Sequence, residues 1–292
     1  MNAGFADRLI ERVRALGPLC VGIDPHPALI PPMFGPAGPE AAASWGLAIL
    51  ERVQGRVAIV KPQAGLFERW GAKGFAALER VCNAAVAQGT MVILDAKRGD
   101  IGSTAEGYAE GYLGAASACP CDAITVNPYM GVETIEPFVK VAETQGKGVV
   151  VLARTSNPGS RDFQAKLVDG QPLYLHVARA LAPMIARLRG ASGWSGLMLV
   201  AGATGPEDAA ALREAAGDAL FLVPGFGAQG AGAREAVAGF VARGNRREGG
   251  VVNASRSVAS PEGALHAATT AEWSALIDGA IASAQTELLA AT

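Results

Sequence analysis

Short and almost wholly apolar runs recur along the chain, and each is followed by a loop and an alanine-rich segment. Runs of this kind are typical of parallel strands buried on both faces, whereas a sheet with one face in water alternates apolar and polar positions. The pattern therefore predicts eight parallel strands. Their ranges are Leu19 to Asp24, Val57 to Lys61, Met91 to Asp95, Asp122 to Asn127, Gly148 to Ala153, Leu197 to Ala201, Ala219 to Val223 and Gly250 to Asn253.

The segments between these runs have the period of amphipathic helices. Residues 66 to 88 place apolar side chains on one face, and Gly89 is suited to end that helix. Eight strand-helix units in 292 residues predict an α/β fold. We expect a (β/α)8 TIM barrel that forms one domain over residues 1–292, and a doubly wound sheet is the alternative.

Two connections are longer than this repeat requires, residues 25–44 and residues 154–172. Each follows the carboxyl end of a predicted strand. In a (β/α)8 barrel the active site lies at that end of the strands. We therefore expect both segments to form its rim or a lid.

Composition narrows the class of protein. The 25 Lys and Arg residues nearly balance 27 Asp and Glu residues, which gives no basic surface for nucleic acid. No apolar run approaches the roughly 18 residues that span a bilayer, and the N-terminal segment carries charges where a signal peptide would be apolar. The four cysteines form no CxxC pair, so we expect free buried thiols. A soluble cytoplasmic protein with no membrane or nucleic-acid partner is expected.

Polar residues stand at or just beyond most of the predicted strand ends, where a barrel would direct them to one pocket. Each alone could instead cap the following helix. They are Asp24, Lys61, Asp95, Lys97, Asn127, Ser156, Gln229 and Arg256.

The densest group is Asp95-Ala-Lys-Arg-Gly-Asp-Ile. Alternate residues of a strand share a face, so Asp95 and Lys97 are predicted to point the same way before Gly99 turns the chain. Residues 103–106 have a capping-box pattern that is expected to begin the next helix. Lys61, at the end of an apolar strand, could be a Schiff-base nucleophile, a phosphate contact or a surface residue. Convergence of these charges would favour an electrostatic array over a single nucleophile.

Phosphate binding is indicated by two later segments. A glycine-rich loop, residues 224–230, follows the seventh strand, and Ser255-Arg256 follows the eighth. In (β/α)8 enzymes these loops form the usual phosphate site, where backbone N–H groups and an arginine can bind the anion.

Taken together, these motifs resemble the orotidine 5′-phosphate decarboxylase family in its longer bacterial form. The matching segments are GIDP at residues 22–25, KP at 61–62, LDAKRGDI at 94–101, TSNPGS at 155–160, VPGFGAQG at 223–230 and NASRSV at 253–258. The resemblance implies conversion of orotidine 5′-monophosphate to uridine 5′-monophosphate, without metal or cofactor, by a homodimer. It also implies that Lys61, Asp95, Lys97 and Asp100 form a charged tetrad, with Asp100 supplied across the dimer interface.

By the same resemblance, other residues would hold the substrate. Asp24 and Thr104 would contact the ribose, Ser156 the pyrimidine, and Gln229 and Arg256 the phosphate. Gly102 stands where many relatives have proline, which makes the turn before Thr104 less constrained.

Three rival functions stay open on the sequence alone. A sugar-phosphate lyase of the same superfamily would share the DxKxxD pattern but use Mg²⁺, and Lys61 stands where such enzymes place a metal-binding carboxylate. An aldolase would use Lys61 or Lys97 as a Schiff base. A nucleotide-binding protein without activity would keep only the phosphate site.

Overall fold

The computed structural model describes residues 3–227 and 230–292. Eight parallel strands form one sheet. They are β1 Leu19–Ile23, β2 Ile59–Pro62, β3 Ile93–Arg98, β4 Ala123–Val126, β5 Gly148–Arg154, β6 Ser195–Ala201, β7 Ala219–Val223 and β8 Gly250–Ala254. Their spatial order is β2-β1-β8-β7-β6-β5-β4-β3, and bridges between residues 60 and 92 and between 63 and 95 join β2 to β3. The chain is a single-domain (β/α)8 barrel, as predicted.

Helices surround this barrel, and the first of them covers its N-terminal end. They are α1 Phe5–Leu16, α2 Pro39–Val53, α3 Ala64–Glu68, α4 Gly71–Ala87, α5 Gly102–Leu113, α6 Glu136–Gln145, α7 Ser160–Phe163, α8 Leu173–Ala180, α9 Ala182–Arg187, α10 Pro206–Ala216, α11 Ala233–Ala236, α12 Arg256–Ala259 and α13 Thr270–Ala291. Short 3₁₀ turns lie at Pro27–Leu29, Pro32–Phe34, Val132–Ile135 and Ala264–His266. None of the described helices is long and apolar enough to cross a membrane.

Two apolar cores result from the alternation of side chains along each strand. One lies between the strands and the surrounding helices. The other fills the barrel and is covered at its N-terminal end by α1, whose Phe5, Leu9 and Ile10 are buried. This N-terminal helix therefore closes the end of the barrel opposite the strand carboxyl ends.

The predicted helix over residues 66–88 is wrong in one respect, because the structure divides it into α3 and α4 at Arg69 and Trp70. Gly71 has a φ of +60°, and a Cβ on Gly74 would lie only 1.9 Å from the Phe67 carbonyl oxygen. These two glycines let the chain turn and pack tightly on itself.

The connection after β7 also departs from the predicted repeat. It holds the four-residue helix α11 and an antiparallel pair of strands, Val241–Arg243 and Arg246–Glu248, in place of a full helix. The predicted loop at 25–44 is shorter in the structure because α2 already begins at Pro39. The segment 154–172 contains α7 and a second small hairpin, Leu167–Val168 with Gln171–Pro172.

Candidate active site

A cavity of about 510 Å³ opens at the carboxyl ends of the strands. Its wall includes the apolar side chains of Leu152, Val200, Leu222 and Phe226. Polar groups lie among them, so the cavity has the composition of a small-molecule site. Of the residues predicted from the sequence, it brings together Asp24, Lys61, Asp95, Lys97, Ser156 and Arg256.

One carboxylate sits between two ammonium groups in this cavity. Lys61 Nζ donates to Asp95 Oδ2 at 2.8 Å, and Lys97 Nζ donates to Asp95 Oδ1 at 2.6 Å. The side chains of Lys61 and Asp95 are 5% and 9% exposed, whereas that of Lys97 is 46% exposed. Lys97 is therefore the member of the group that is open to a ligand.

Two residues that sequence reasoning missed complete the surroundings of Asp95. Gln63 Nε2 donates to Oδ2 at 2.9 Å, and Thr125 Oγ1 donates to Oδ1 at 3.0 Å. Thr125 carried a signal, as a polar side chain within an apolar strand. Asn127, by contrast, does not line the cavity, since its side chain accepts from the Tyr129 N–H.

The charged neighbours fix the ionisation of the two buried groups. Burial alone would raise the pKa of Asp95, but the charges of Lys61 and Lys97 and their hydrogen bonds hold it well below its usual range. Burial alone would lower the pKa of Lys61, yet the carboxylates of Asp95 and Asp24 raise it. Both groups are thus charged at neutral pH.

Asp24 has an unused acceptor in the cavity. Its Oδ1 lies 3.8 Å from Lys61 Nζ, too far for a hydrogen bond, and is buried without a hydrogen-bond partner among the described residues. A buried acceptor without a donor is costly, so a ligand hydroxyl would be well placed there.

Lys97 and Asp95 meet through an irregular strand end and not through the regular alternation predicted from the sequence. The pairing of β3 with β4 shifts register between Leu94 and Arg98, and Lys97 has a φ of +49°. The Lys97 N–H donates to Thr125 Oγ1 at 2.8 Å. The predicted proximity is thus confirmed, although its geometry is different.

Asp100 and Thr104 lie outside the cavity of their own chain. Asp100 Oδ1 accepts from the Ile101 N–H at 2.9 Å, and Thr104 is exposed in the first turn of α5. The predicted capping box at residues 103–106 is wrong. The helix begins earlier, at Gly102, and Ile101 stands at its N-cap without a side-chain hydrogen bond.

The backbone of Ser156 is held against the loop that follows β6. A Cβ on Gly202 would lie 2.9 Å from the Ser156 Cα and N atoms, so glycine is needed for this approach. Thr204 Oγ1 donates to the Ser156 carbonyl at 3.3 Å. The structure therefore places Ser156 at the rim of the cavity in a defined position.

The side of the cavity where phosphate binding was predicted joins the first and last strands. Ser255 precedes α12, which begins at Arg256, and a Cβ on Gly22 would lie 1.9 Å from Ser255 Oγ. Asn253 Nδ2 donates to Ser255 Oγ at 3.1 Å. Gln229, predicted to bind phosphate, lies outside the described residues.

Comparison with known proteins decides the family. A family model described as "Orotidine 5′-phosphate decarboxylase / HUMPS family" matches residues 17–271. The chain belongs to this family. An orotidine 5′-phosphate decarboxylase from Rhodopirellula baltica is 39% identical over 267 residues, which cover 87% of each chain. One from a Roseiflexus species is 44% identical over 213 residues, 73% of each chain.

Solved structures agree with this membership of the orotidine 5′-phosphate decarboxylase family. The structure of a Leishmania donovani OMP decarboxylase is 33% identical, with a TM-score of 0.77, and the match covers 99% of this chain and 98% of that one. A UMP synthase from the same organism is 34% identical with a TM-score of 0.80, and the match covers 57% of its longer chain.

Proposed function

We propose that this cavity decarboxylates orotidine 5′-monophosphate to uridine 5′-monophosphate and CO₂, the last step of de novo pyrimidine biosynthesis. Membership of the family makes the chain a carboxy-lyase of this kind. The observation that carries the mechanism is the buried Asp95 carboxylate held between the Lys61 and Lys97 ammonium groups.

The chemical difficulty is the electron pair that remains when CO₂ leaves C6. That pair lies in the plane of the pyrimidine ring, where the ring cannot delocalise it. Fixed charges must therefore favour the transition state over the bound substrate.

Asp95 and Lys97 supply those charges in our proposal. With the substrate carboxylate about 4 Å from Asp95, repulsion at an effective dielectric constant of 20 is about 4 kcal/mol, and it falls as CO₂ departs. The Lys97 ammonium stabilises the electron pair on C6 and then donates its proton to that carbon. The C6–CO₂ bond breaks, the C6–H bond forms, and Lys97 is reprotonated from solvent.

The remaining predicted residues would bind the parts of the nucleotide that do not react. The free Oδ1 of Asp24 suits a ribose hydroxyl, Ser156 would contact the pyrimidine, and Arg256 with Gln229 would bind the phosphate. Binding energy from the phosphate would close the two long loops at 25–38 and 154–172 over the site.

We further propose a homodimer in which Asp100 enters the partner's site. Supporting this, Asp100 lies outside its own cavity, and exposed apolar side chains occur next to it at Ile101 and on the loop after β4, whose Met130 approaches Gly99. Ile101, Tyr129 and Met130 are 60%, 80% and 43% exposed. Thr104, one turn further along, would reach the ribose from the same side. A cytoplasmic location is consistent with four free, buried cysteines.

Catalysis is expected to need no divalent cation. The Lys61 ammonium at the end of β2 would repel a metal where a metal-dependent relative needs a carboxylate. The fall in absorbance of orotidine 5′-monophosphate should proceed at the same rate in EDTA and in Mg²⁺.

The same assay distinguishes the rival functions. Loss of activity in EDTA with recovery in Mg²⁺ would favour the metal-dependent sugar-phosphate lyase, and borohydride trapping of the substrate would favour the Schiff-base aldolase. No turnover in either condition would favour a binding protein.

Arg256→Ala is expected to act through the phosphate. A bidentate charge-assisted contact contributes about 1.5–3 kcal/mol, so kcat/KM for the phosphorylated substrate should fall about 10- to 150-fold. The nucleoside without phosphate should be turned over as slowly as by the wild type. Steady-state kinetics with both substrates checks this, and equal losses for the two would give Arg256 another role.

A further inference from the structure

The end of β3 is strained at the residue that the mechanism needs most. Among the described residues, only Lys97 and Asp169 combine a side chain with a positive φ, and Asp169 lies at the tip of a small surface hairpin. Strained backbone of this kind persists only where surrounding contacts hold it. Arg98 follows Lys97 directly, and the contacts of Arg98 show that it is the residue that holds this backbone.

Arg98 is enclosed by groups from two helices. Its Nη2 donates to the Glu68 carboxylate on α3 and, at 3.1 Å, to Tyr112 Oη on α5. The guanidinium carbon lies 5.7 and 5.6 Å from the ring centres of Tyr108 and Tyr112, within range of a cation–π contact. The side chain is only 19% exposed.

The backbone on both sides of Lys97 is fixed as well. Arg98 Nη1 donates to the Ala96 carbonyl at 3.2 Å, so its side chain reaches back across Lys97. The Arg98 carbonyl accepts from the Asn127 N–H at 2.8 Å. Lys97 thus lies in a short loop of chain that is closed by the Arg98 side chain and attached to β4.

These contacts also connect the elements that carry the charged groups. Glu68 lies on the helix that follows the Lys61 strand, and Tyr112 lies on the helix that follows Asp100. Arg98 itself does not line the cavity. Any effect it has on chemistry must therefore pass through the position of its neighbours.

We propose that Arg98 is a positioning residue for Lys97. Anchored on Glu68 and the two tyrosines, it keeps the bulged end of β3 in the conformation that directs the Lys97 ammonium to Asp95 and the reacting carbon. The inference rests on the proposed role of Lys97 as proton donor.

The test is Arg98→Gln, with Arg69→Gln as the matched control. Arg69 is an exposed arginine beside Glu68 that lies over the Trp70 ring at 5.6 Å. Misplacement of a catalytic group by about 1 Å costs about 100-fold in rate. We expect Arg98→Gln to lower kcat about 10- to 100-fold per active site, with the Kd for uridine 5′-monophosphate within about threefold of wild type. Arg98→Lys should recover part of the loss, and Arg69→Gln should behave as wild type.

Titration with uridine 5′-monophosphate counts the functional binding sites. This count separates a lower kcat per site, expected of a positioning residue, from a smaller amount of folded protein. Glu68→Gln should also lower kcat, and in combination with Arg98→Gln it should add little, because both changes remove one contact. Wild-type kcat in Arg98→Gln, a loss explained by fewer binding sites, or an equal loss of product affinity would each overturn the inference. If Arg98→Gln does not fold, Glu68→Gln and Tyr112→Phe provide the same measurement. An inactive wild type would instead contradict the proposed function.

Discussion

Lys97→Ala is expected to lose nearly all turnover, by about 10⁴-fold or more, while the protein still folds and binds uridine 5′-monophosphate. The variant removes both the proton donor and the cation nearest the electron pair on C6, and each contribution is worth about 10²-fold or more. The fold should survive because the Lys97 side chain is half exposed and Asp95 keeps its contact with Lys61.

Single-turnover rates with orotidine 5′-monophosphate measure the loss of turnover. Calorimetry measures whether uridine 5′-monophosphate still binds. Lys73→Ala is the matched control, since Lys73 is an exposed lysine on α4 away from the cavity. Residual activity above about 1% of wild type would place the proton donor on another group, because general acid catalysis alone contributes about 10²- to 10⁴-fold.

Mixing two inactive variants is expected to restore activity. Asp100→Ala and Lys97→Ala should each be nearly inactive alone if every site takes Lys97 from one subunit and Asp100 from the other. In a mixed dimer one site then collects both changes and the other is intact. With random pairing, half of the dimers are mixed, so activity should approach about a quarter of wild type.

The control for this experiment is a pair of variants whose substituted residues come from the same subunit at each site. Lys97→Ala mixed with Asp95→Ala should show no recovery, because the two residues contact each other within one chain. Subunit exchange is verified by mass spectrometry of differently tagged chains. If exchange occurs and the Asp100 mixture stays inactive, Asp100 serves its own subunit and the proposed interface is wrong.

The strands were predictable because burial on both faces leaves a strong apolar signal, and each of the eight predicted runs overlaps a strand of the barrel. The division of residues 66–88 was not predictable, since it depends on how closely Gly74 approaches the Phe67 carbonyl. The hairpin after β7 was not predicted, because the alanine content of that segment favours a helix. The glycines of the segment disfavour a helix and were not considered.

Only the site residues that follow from the convergence of strand ends could be predicted from the sequence. Asp95 and its two lysines could be predicted from position, but Gln63 could not, because its role depends on a bridge to β3 that the sequence does not reveal. The bulge at Lys97 was also missed, since regular alternation predicts the same neighbours. Asp100 was expected to serve the partner's site, and the structure places it outside the cavity of its own chain, two residues before α5 begins at Gly102.

The contact of Gly22 with Ser255 has a consequence for how the protein matures. The pocket spans the seam where the first strand meets the last, so Asp24 and Arg256 become neighbours only after β8 has been synthesised and inserted between β1 and β7. A nascent or nicked chain that lacks β8 and the residues after it lacks Asn253, Ser255 and Arg256 of the cavity wall. Ligand occupancy therefore reports completion of the whole barrel, and a bound nucleotide stabilises the closed ring against opening at that seam.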